Sequence, residues 1–145
     1  MTDQAFPYPV EINVQWGEMD ALGHVNNTVF IRYFETSRVH IMQQAGLWDI
    51  YSKMGIMIVL AKIECNFIRP LYFPDTIIAQ TRFKSIGRSS IVVEHQIFSK
   101  QQNALAATGD GVIVFTDAST MKSTPIPDEI RTQIEALMAA EVKGE

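Results

Sequence analysis

The chain has 145 residues, of which 47% are hydrophobic and 19% are charged, and its formal net charge is -4. This length predicts a single domain over residues 1–145, and the apolar content suffices for a buried core, which excludes disordered, collagen-like and disulfide-scaffold proteins. The acidic balance disfavours nucleic acid as a partner, because a phosphate-binding surface needs a basic excess. The single cysteine, Cys65, predicts a reducing compartment, the cytoplasm, and we expect neither a signal peptide nor a membrane span.

The first half of the chain predicts one strand followed by one long helix. Residues 10–16 alternate between apolar and polar side chains, a period typical of a half-buried strand. A helix is predicted from Asn27 to Ala45, with Asn26 or Asn27 as its N-cap and Gly46 just beyond its end. Its apolar face is expected to contain Phe30, Tyr33, Phe34, Ser37 and Ile41.

The second half predicts four more strands, at residues 56–69, 75–84, 89–100 and 104–117, and a short amphipathic helix after Pro127. Their short connections favour antiparallel neighbours, so the predicted fold class is α+β, with a twisted antiparallel sheet of about five strands curled around the long helix. The outer face of this sheet would carry Leu60, Ile68, Ile78, Val92 and Phe98. An exposed apolar face of this kind predicts an oligomer.

The segment Glu18–Asn27 holds the densest set of side chains that could carry chemistry. It places carboxylates and a histidine in a loop that leads into a helix N-terminus, where free N–H groups and the positive end of the helix dipole suit a developing oxyanion. Asp20 in this loop could act as a base or a nucleophile, which indicates acyl transfer or hydrolysis. In the alternative interpretation, Asp20 caps a turn, His24 packs, and Asn27 caps the helix.

Other candidate sites receive less support from the sequence. A metal site is disfavoured, because the carboxylates and histidines show no tight ligand spacing such as H-E-x-x-H. Cys65 paired with His95 could form a nucleophilic site, but its mid-strand apolar position favours a packed core thiol. Glu35 and Arg38 are expected to pair on the helix surface. The basic residues of the middle of the chain form either a solvated face or a phosphate-binding patch; they are Lys62, Arg69, Arg82, Lys84 and Arg88.

The segment Val14–Arg38, VQWGEMDALGHVNNTVFIRYFETSR, resembles the signature of hot-dog-fold acyl-CoA thioesterases of the 4-hydroxybenzoyl-CoA thioesterase type. Its GHVNN portion also resembles fatty acyl carrier protein thioesterases. Residues 66–70, 86–90 and 125–127 fall where that family has its own segments, so the similarity covers nearly the whole chain. The resemblance implies a long helix wrapped by an antiparallel sheet, assembly as a homodimer or homotetramer with active sites at the subunit interface, and no metal or cofactor.

The same resemblance assigns roles to individual residues. Asp20 matches the family's catalytic carboxylate, and Asn27 matches the residue whose backbone N–H polarises the thioester carbonyl. His24, which we place with them as catalytic, occurs in relatives that act on fatty acyl groups and therefore favours an aliphatic acyl-CoA. The turn at Arg88 and Ser89 matches one that lies near the CoA nucleotide in relatives, and Lys84 and Arg69 are predicted to assist it in binding substrate.

The predicted function is therefore hydrolysis of acyl-CoA, or of an acyl carrier protein thioester, to a free acid and a thiol. Two alternatives remain open at this point. One is a hot-dog hydratase or dehydratase for enoyl-thioesters, which needs a His–Asp pair that only His24 and Asp20 could supply. The other is a non-catalytic acyl-CoA-binding module.

Overall fold

The computed structural model describes residues 6–143, with side chains through residue 139, and contains six strands and three α-helices. The strands are β1 Val10–Asn13, β2 Ile56–Ile63, β3 Asn66–Phe67, β4 Thr76–Ile86, β5 Ser90–Ser99 and β6 Ala104–Asp117. The helices are α1 Asn27–Gln44, α2 Ile50–Met54 and α3 Asp128–Lys143. None of these helices combines the length and apolarity that crossing a membrane would require.

The sheet has the strand order β1-β4-β5-β6-β2, with the short β3 also paired to β6, and all pairs are antiparallel. The register shifts by a bulge in each of the three long pairings, β4 with β5, β5 with β6 and β2 with β6. Bulges increase the local twist, which helps a sheet of this size to curl around one helix. The predicted α+β hot-dog arrangement, a long helix wrapped by a curved antiparallel sheet, is confirmed.

Helix α1 has the predicted boundaries to within one residue. Asn26 is its N-cap, and Gly46 follows its end with a positive φ of 77°, a conformation that glycine adopts without the penalty of a Cβ. The predicted apolar face is confirmed, since all five of its residues are buried. The expected surface position of Arg38 is wrong: Arg38 is also buried, and its Nη1 lies 3.3 Å from Nε2 of His95. The charge of Glu35 still acts on the Arg38 guanidinium.

Several element boundaries differ from the prediction. β1 ends at Asn13, because the chain turns into a 3₁₀ helix at Trp16–Glu18. The strand predicted over residues 56–69 is interrupted between β2 and β3, where the Glu64 carbonyl approaches Gly109 so closely that any Cβ there would collide with it. Helix α2 was not predicted, and α3 is 16 residues long rather than short.

The core has two parts, which lie at the two ends of α1. The N-terminal half of α1 packs on the start of β4, the end of β5 and the start of β6, through a cluster that includes Phe30, Tyr33, Leu71, Ile77, Ile97 and Ala106. The C-terminal half packs near the β4–β5 turn and on α3, through a cluster that includes Ile41, Phe83, Ile91, Phe115, Ile130 and Ile134. The helix therefore runs along the strands, with its N-terminus and the β4–β5 turn at opposite ends of the sheet.

Candidate active site

The loop before α1 is a tight hairpin. Met19 and Val25 form an isolated antiparallel bridge. Inside it, the Asp20 N–H donates to the His24 carbonyl at 2.7 Å, and the Gly23 N–H donates to the Asp20 carbonyl at 3.1 Å. Gly23 has a φ of 81°, which the reversal of the chain requires and glycine tolerates. This hairpin holds Asp20 directly before the first turn of the helix.

The Asp20 carboxylate is half-buried, and one of its oxygens holds the turn. Oδ1 accepts hydrogen bonds from the backbone N–H groups of Leu22 at 2.9 Å and His24 at 3.3 Å. No described residue donates to Oδ2. The turn-capping interpretation of Asp20 is thus correct for Oδ1, and it leaves Oδ2 available to a substrate or a water molecule.

The first turn of α1 leaves the backbone N–H of Asn27 without a partner among the described residues. The Asn26 side chain accepts from the Thr28 N–H at 2.9 Å, and the Asn26 carbonyl accepts from the Val29 N–H at 2.9 Å. The Asn26 N–H itself donates to the Glu18 carbonyl at 2.9 Å. The N–H of Asn27, the first helical residue, is therefore the free donor at the positive end of an 18-residue helix.

The His24 imidazole packs against an aromatic ring rather than against the carboxylate. It meets Tyr72 edge-on, with ring centroids 5.2 Å apart and an interplanar angle of 76°. The described contacts between His24 and Asp20 use the His24 backbone, whose N–H donates to Oδ1 and whose carbonyl accepts from the Asp20 N–H. The structure therefore does not form the imidazole–carboxylate pair that a hydratase would need.

The surface around this hairpin is apolar and open. Phe67 of β3 contacts Phe30 in the first turns of α1, with centroids 5.1 Å apart, and the Val25 N–H donates to the Leu71 carbonyl at 2.8 Å. These contacts bring the segment after β3 to the N-terminus of α1. The large apolar side chains exposed in these segments are Trp16, Leu22, Phe67, Ile68, Tyr72 and Phe73.

The predicted substrate-binding residues lie in different places. Arg69 is at the Asp20 end of the sheet, where its Nε donates to the Leu105 carbonyl at 3.1 Å. Arg88 and Ser89 form the β4–β5 turn, which lies beside the Ser90–Val114 pairing at the other end of β6. At ~3.3 Å per strand residue, Leu105 and Val114 are roughly 30 Å apart, so one chain does not bring Arg88 to Asp20.

Lys84 pairs with a carboxylate on the outer face of the sheet. Its Nζ lies 2.9 Å from Oδ2 of Asp110, and both side chains are partly exposed. Arg88 by contrast is exposed, and the hydrogen bonds it accepts from the Ile126 N–H and from Arg131 Nη2 use its backbone carbonyl. The Arg88 guanidinium is therefore better placed than the Lys84 ammonium to meet an anion from solvent.

The alternative nucleophile, Cys65 with His95, has the wrong electrostatics. Burial raises the pKa of the Cys65 thiol to about 11, which keeps it protonated and unreactive at neutral pH. Burial, and then the charge of Arg38, lower the pKa of His95 to about 4. The neutral His95 ring stacks on Phe34 and lies 3.1 Å from the Gly109 carbonyl, as expected for a core residue. Among the described residues, no three His, Cys, Asp or Glu side chains group as a metal site.

Sequence reasoning missed a contact between the loop and the middle of α1. The Tyr33 hydroxyl donates to Oε1 of Glu18 at 2.7 Å, and the same oxygen accepts from the Gln15 N–H at 2.8 Å. Burial, together with Glu18, raises the pKa of Tyr33. The sequence did contain a signal for this contact, namely a tyrosine rather than a phenylalanine on the buried face of the helix. A buried hydroxyl needs a hydrogen-bond partner.

A match to one protein family spans most of the chain. Residues 14–134 match the model of the thioesterase-like superfamily. The chain belongs to the thioesterase-like superfamily. The matched segment begins in the chain before the 3₁₀ helix and ends within α3, so it contains the hairpin, the long helix and the strands that wrap it.

Individual members of the superfamily resemble the chain over most of its length. A thioesterase from Thermus thermophilus, solved in complex with coenzyme A and Zn, is 32% identical; the match covers 92% of this chain and 96% of that one, with a TM-score of 0.80. The long-chain acyl-CoA thioesterase FadM of Escherichia coli is 20% identical over 88% of this chain and 97% of its own. The chloroplastic acyl-acyl carrier protein thioesterase ATL3 of Arabidopsis thaliana is 24% identical over 87% of this chain, which spans 66% of that protein's length. The superfamily and these names support the prediction of a thioester hydrolase.

Proposed function

We propose that this thioesterase-like protein is an acyl-CoA thioesterase of the 4-hydroxybenzoyl-CoA type, which hydrolyses a thioester to a free acid and CoA. The observation that carries the proposal is the Asn27 N–H at the N-terminus of α1 together with Oδ2 of Asp20 in the hairpin just before it, neither of which has a partner among the described residues. A donor and a carboxylate are the two groups that attack on a thioester carbonyl requires. An acyl carrier protein thioester, as in the name of the Arabidopsis relative, would present the same reacting atoms.

The proposed chemistry begins with the thioester carbonyl oxygen bound at the Asn27 N–H. Negative charge develops on this oxygen during attack, so its interaction with the N–H and the helix dipole is stronger in the transition state than in the bound substrate. Asp20 Oδ2 either attacks the carbonyl carbon or takes a proton from the attacking water. The C–S bond then breaks, and CoA leaves as a thiolate, which needs no strong general acid.

His24 is proposed to shape the site through its contact with Tyr72. Its imidazole closes one side of the hairpin against the apolar surface, where an acyl chain would lie. This role agrees with the preference for aliphatic acyl groups that the family resemblance attaches to a histidine at this position.

We propose that the protein is a homodimer or a homotetramer. β2 is an edge strand that is largely apolar, and Leu60 and Ile68 on the predicted outer face are 43% and 50% exposed. An open apolar edge of this kind needs a cover, which a second copy would supply. Sedimentation at micromolar concentration is expected to show a multiple of the 16.3 kDa chain, and a stable species of that single mass would contradict the proposal.

Two further proposals concern the chain as a whole. Residues 1–145 form one thioesterase domain, supported by the superfamily match over residues 14–134. The reducing cytoplasm is the proposed location, supported by the single thiol of Cys65.

Arg88, with Ser89, is proposed to bind the CoA phosphates of a substrate whose thioester lies in the partner subunit's site. The reason is that, within one chain, this turn and Asp20 lie at opposite ends of the sheet. Arg88→Ala is expected to raise the KM for acyl-CoA several-fold with little change in kcat, since the lost binding is equal in ground and transition states. The effect should shrink as salt rises, because exposed charges are screened. The matched control is a truncated thioester without the nucleotide. An equal loss with this substrate would show that Arg88 acts on the structure instead.

Thiol release from a panel of acyl-CoAs tests the proposed function directly. Free thiol that appears with turnover is the expected result, and its dependence on chain length gives the acyl preference. Hydration of an enoyl-CoA without thiol release would instead identify a hydratase. Saturable binding without any product would identify a binding module.

A further inference from the structure

Glu18 joins three parts of the candidate site. Its backbone carbonyl accepts from the N–H of Asn26, the N-cap of α1. Its side-chain Oε1 accepts from the hydroxyl of Tyr33, which lies on the next turns of the same helix. It is also separated from Asp20 by a single residue, Met19, whose bridge to Val25 opens the hairpin. Glu18, which is half-buried, thus contacts both the N-cap and Tyr33 of α1, and it directly precedes the hairpin that contains Asp20.

Tyr33 can hold this arrangement because its side chain is packed in the core. Its side chain is 2% exposed and belongs to the core cluster at the Asn27 end of α1, together with Phe30, Leu71 and Ile77. Its hydroxyl is the donor and the Glu18 carboxylate is the acceptor, so the hydrogen bond is charge-assisted and stronger than one between neutral groups. A rigid core side chain therefore fixes the position of a loop residue.

Resting on the proposed function, we propose that Glu18 and Tyr33 are a positioning pair. It holds the Asp20 hairpin against α1 so that the carboxylate and the Asn27 N–H keep one relative geometry. Neither side chain is required to touch the substrate. Because the rate of an oriented reaction falls steeply with small displacements of the reacting groups, loss of the pair should lower kcat more than it changes KM.

Tyr33→Phe tests the pair with a matched control on the same helix face. The variant keeps the buried ring and removes the hydroxyl, and it is expected to lower kcat about tenfold, with KM within about twofold of wild type. Ser37→Ala, one turn further along α1, removes a buried hydroxyl that lies 2.6 Å from the hydroxyl of Thr81 and has no link to the loop. It should lower the melting temperature by a similar amount and leave kcat unchanged. Equal kcat values in the two variants would overturn the proposal.

Substitutions of Glu18, the hydrogen-bond partner of Tyr33, test the same interaction from the other side. Glu18→Gln keeps an oxygen acceptor for the Tyr33 hydroxyl and should retain most of kcat. Glu18→Ala should lose at least as much as Tyr33→Phe, because it also removes the acceptor of the Gln15 N–H. The double variant Glu18→Ala with Tyr33→Phe should be no slower than Glu18→Ala alone, because Glu18→Ala has already removed the hydrogen bond that Tyr33→Phe removes. Fully additive losses would show that the two residues act independently and would overturn the pair.

Hydrogen exchange of the backbone amides of His24 and Asn26 separates this inference from the proposed function. Both amides should exchange faster in Tyr33→Phe than in Ser37→Ala, because the loop is released only in the first variant. Equal exchange in the two variants overturns the pair whether or not the protein turns over acyl-CoA. A wild-type protein that releases no thiol refutes the proposed function instead, and the exchange comparison alone then decides whether the pair holds the loop.

Discussion

Asp20→Asn is expected to leave the fold intact and to lower kcat for thioester hydrolysis by ~10²–10⁴-fold, the range expected for loss of a general base. In this structure the substitution changes the chemistry of Oδ2 and preserves the hydrogen bonds of Oδ1. Oδ1 of Asp20 accepts the Leu22 and His24 N–H groups, and an asparagine offers an amide oxygen for the same two hydrogen bonds. The change therefore falls on Oδ2, which becomes an amide nitrogen that neither attacks a carbonyl nor accepts a proton from water.

Asp117→Asn is the matched control for this prediction. Oδ1 of Asp117 accepts from the N–H groups of Ser119 and Thr120, so it caps a turn in the same way at the end of β6. This variant removes one carboxylate charge from a similar turn and should leave kcat unchanged. A kcat for Asp20→Asn above about a tenth of wild type, a barrier change under ~1.4 kcal/mol, would contradict the catalytic role of Asp20.

Asn27→Pro is expected to fold and to lose ~10²–10³ in kcat, the effect of removing one oxyanion donor. Proline is tolerated at the first helical position, where the N–H has no intrahelical partner, and Asn27 holds that position in α1. Proline also restricts the residue before it to extended geometry. Asn26 already has φ -59° and ψ 141°, so the substitution asks for little rearrangement.

Circular dichroism checks that Asn27→Pro is folded, and the kinetics of Asn27→Ala provide the control. Asn27→Ala keeps the N–H and removes an exposed side chain that does not cap the helix, so both stability and kcat should stay close to wild type. A folded proline variant with normal kcat would exclude this N–H as the oxyanion donor. A severe defect in a stable Asn27→Ala protein would assign the role to the side chain instead.

The sequence predicted best what local patterns control. The period of α1, its Asn26 cap and Gly46 stop are set by side chains within a turn of one another, and the buried face of β5 follows from strict alternation at Ile91, Val93, His95 and Ile97. The loop that contains Asp20 was also predicted, because the motif is contiguous, whereas its hairpin geometry came from the structure. Cys65 was placed correctly as an unreactive thiol, although it lies in the break between two strands rather than within one.

The tertiary structure decided everything that depends on which strands meet and in what register. The sequence predicted that Arg38 lies on the surface, but the packing of α1 on β5 buries it beside His95. The sequence also predicted a continuous strand over residues 56–69, but the close approach of β6 at Gly109 to the Glu64 carbonyl interrupts it. The Glu18–Tyr33 hydrogen bond and the distance between Arg88 and Asp20 likewise depend on how α1 lies along the sheet. Periodicity within one segment fixes which face of an element is apolar, but it carries no information about the partner of a polar group from another segment. That partner exists only once the sheet has closed around the helix.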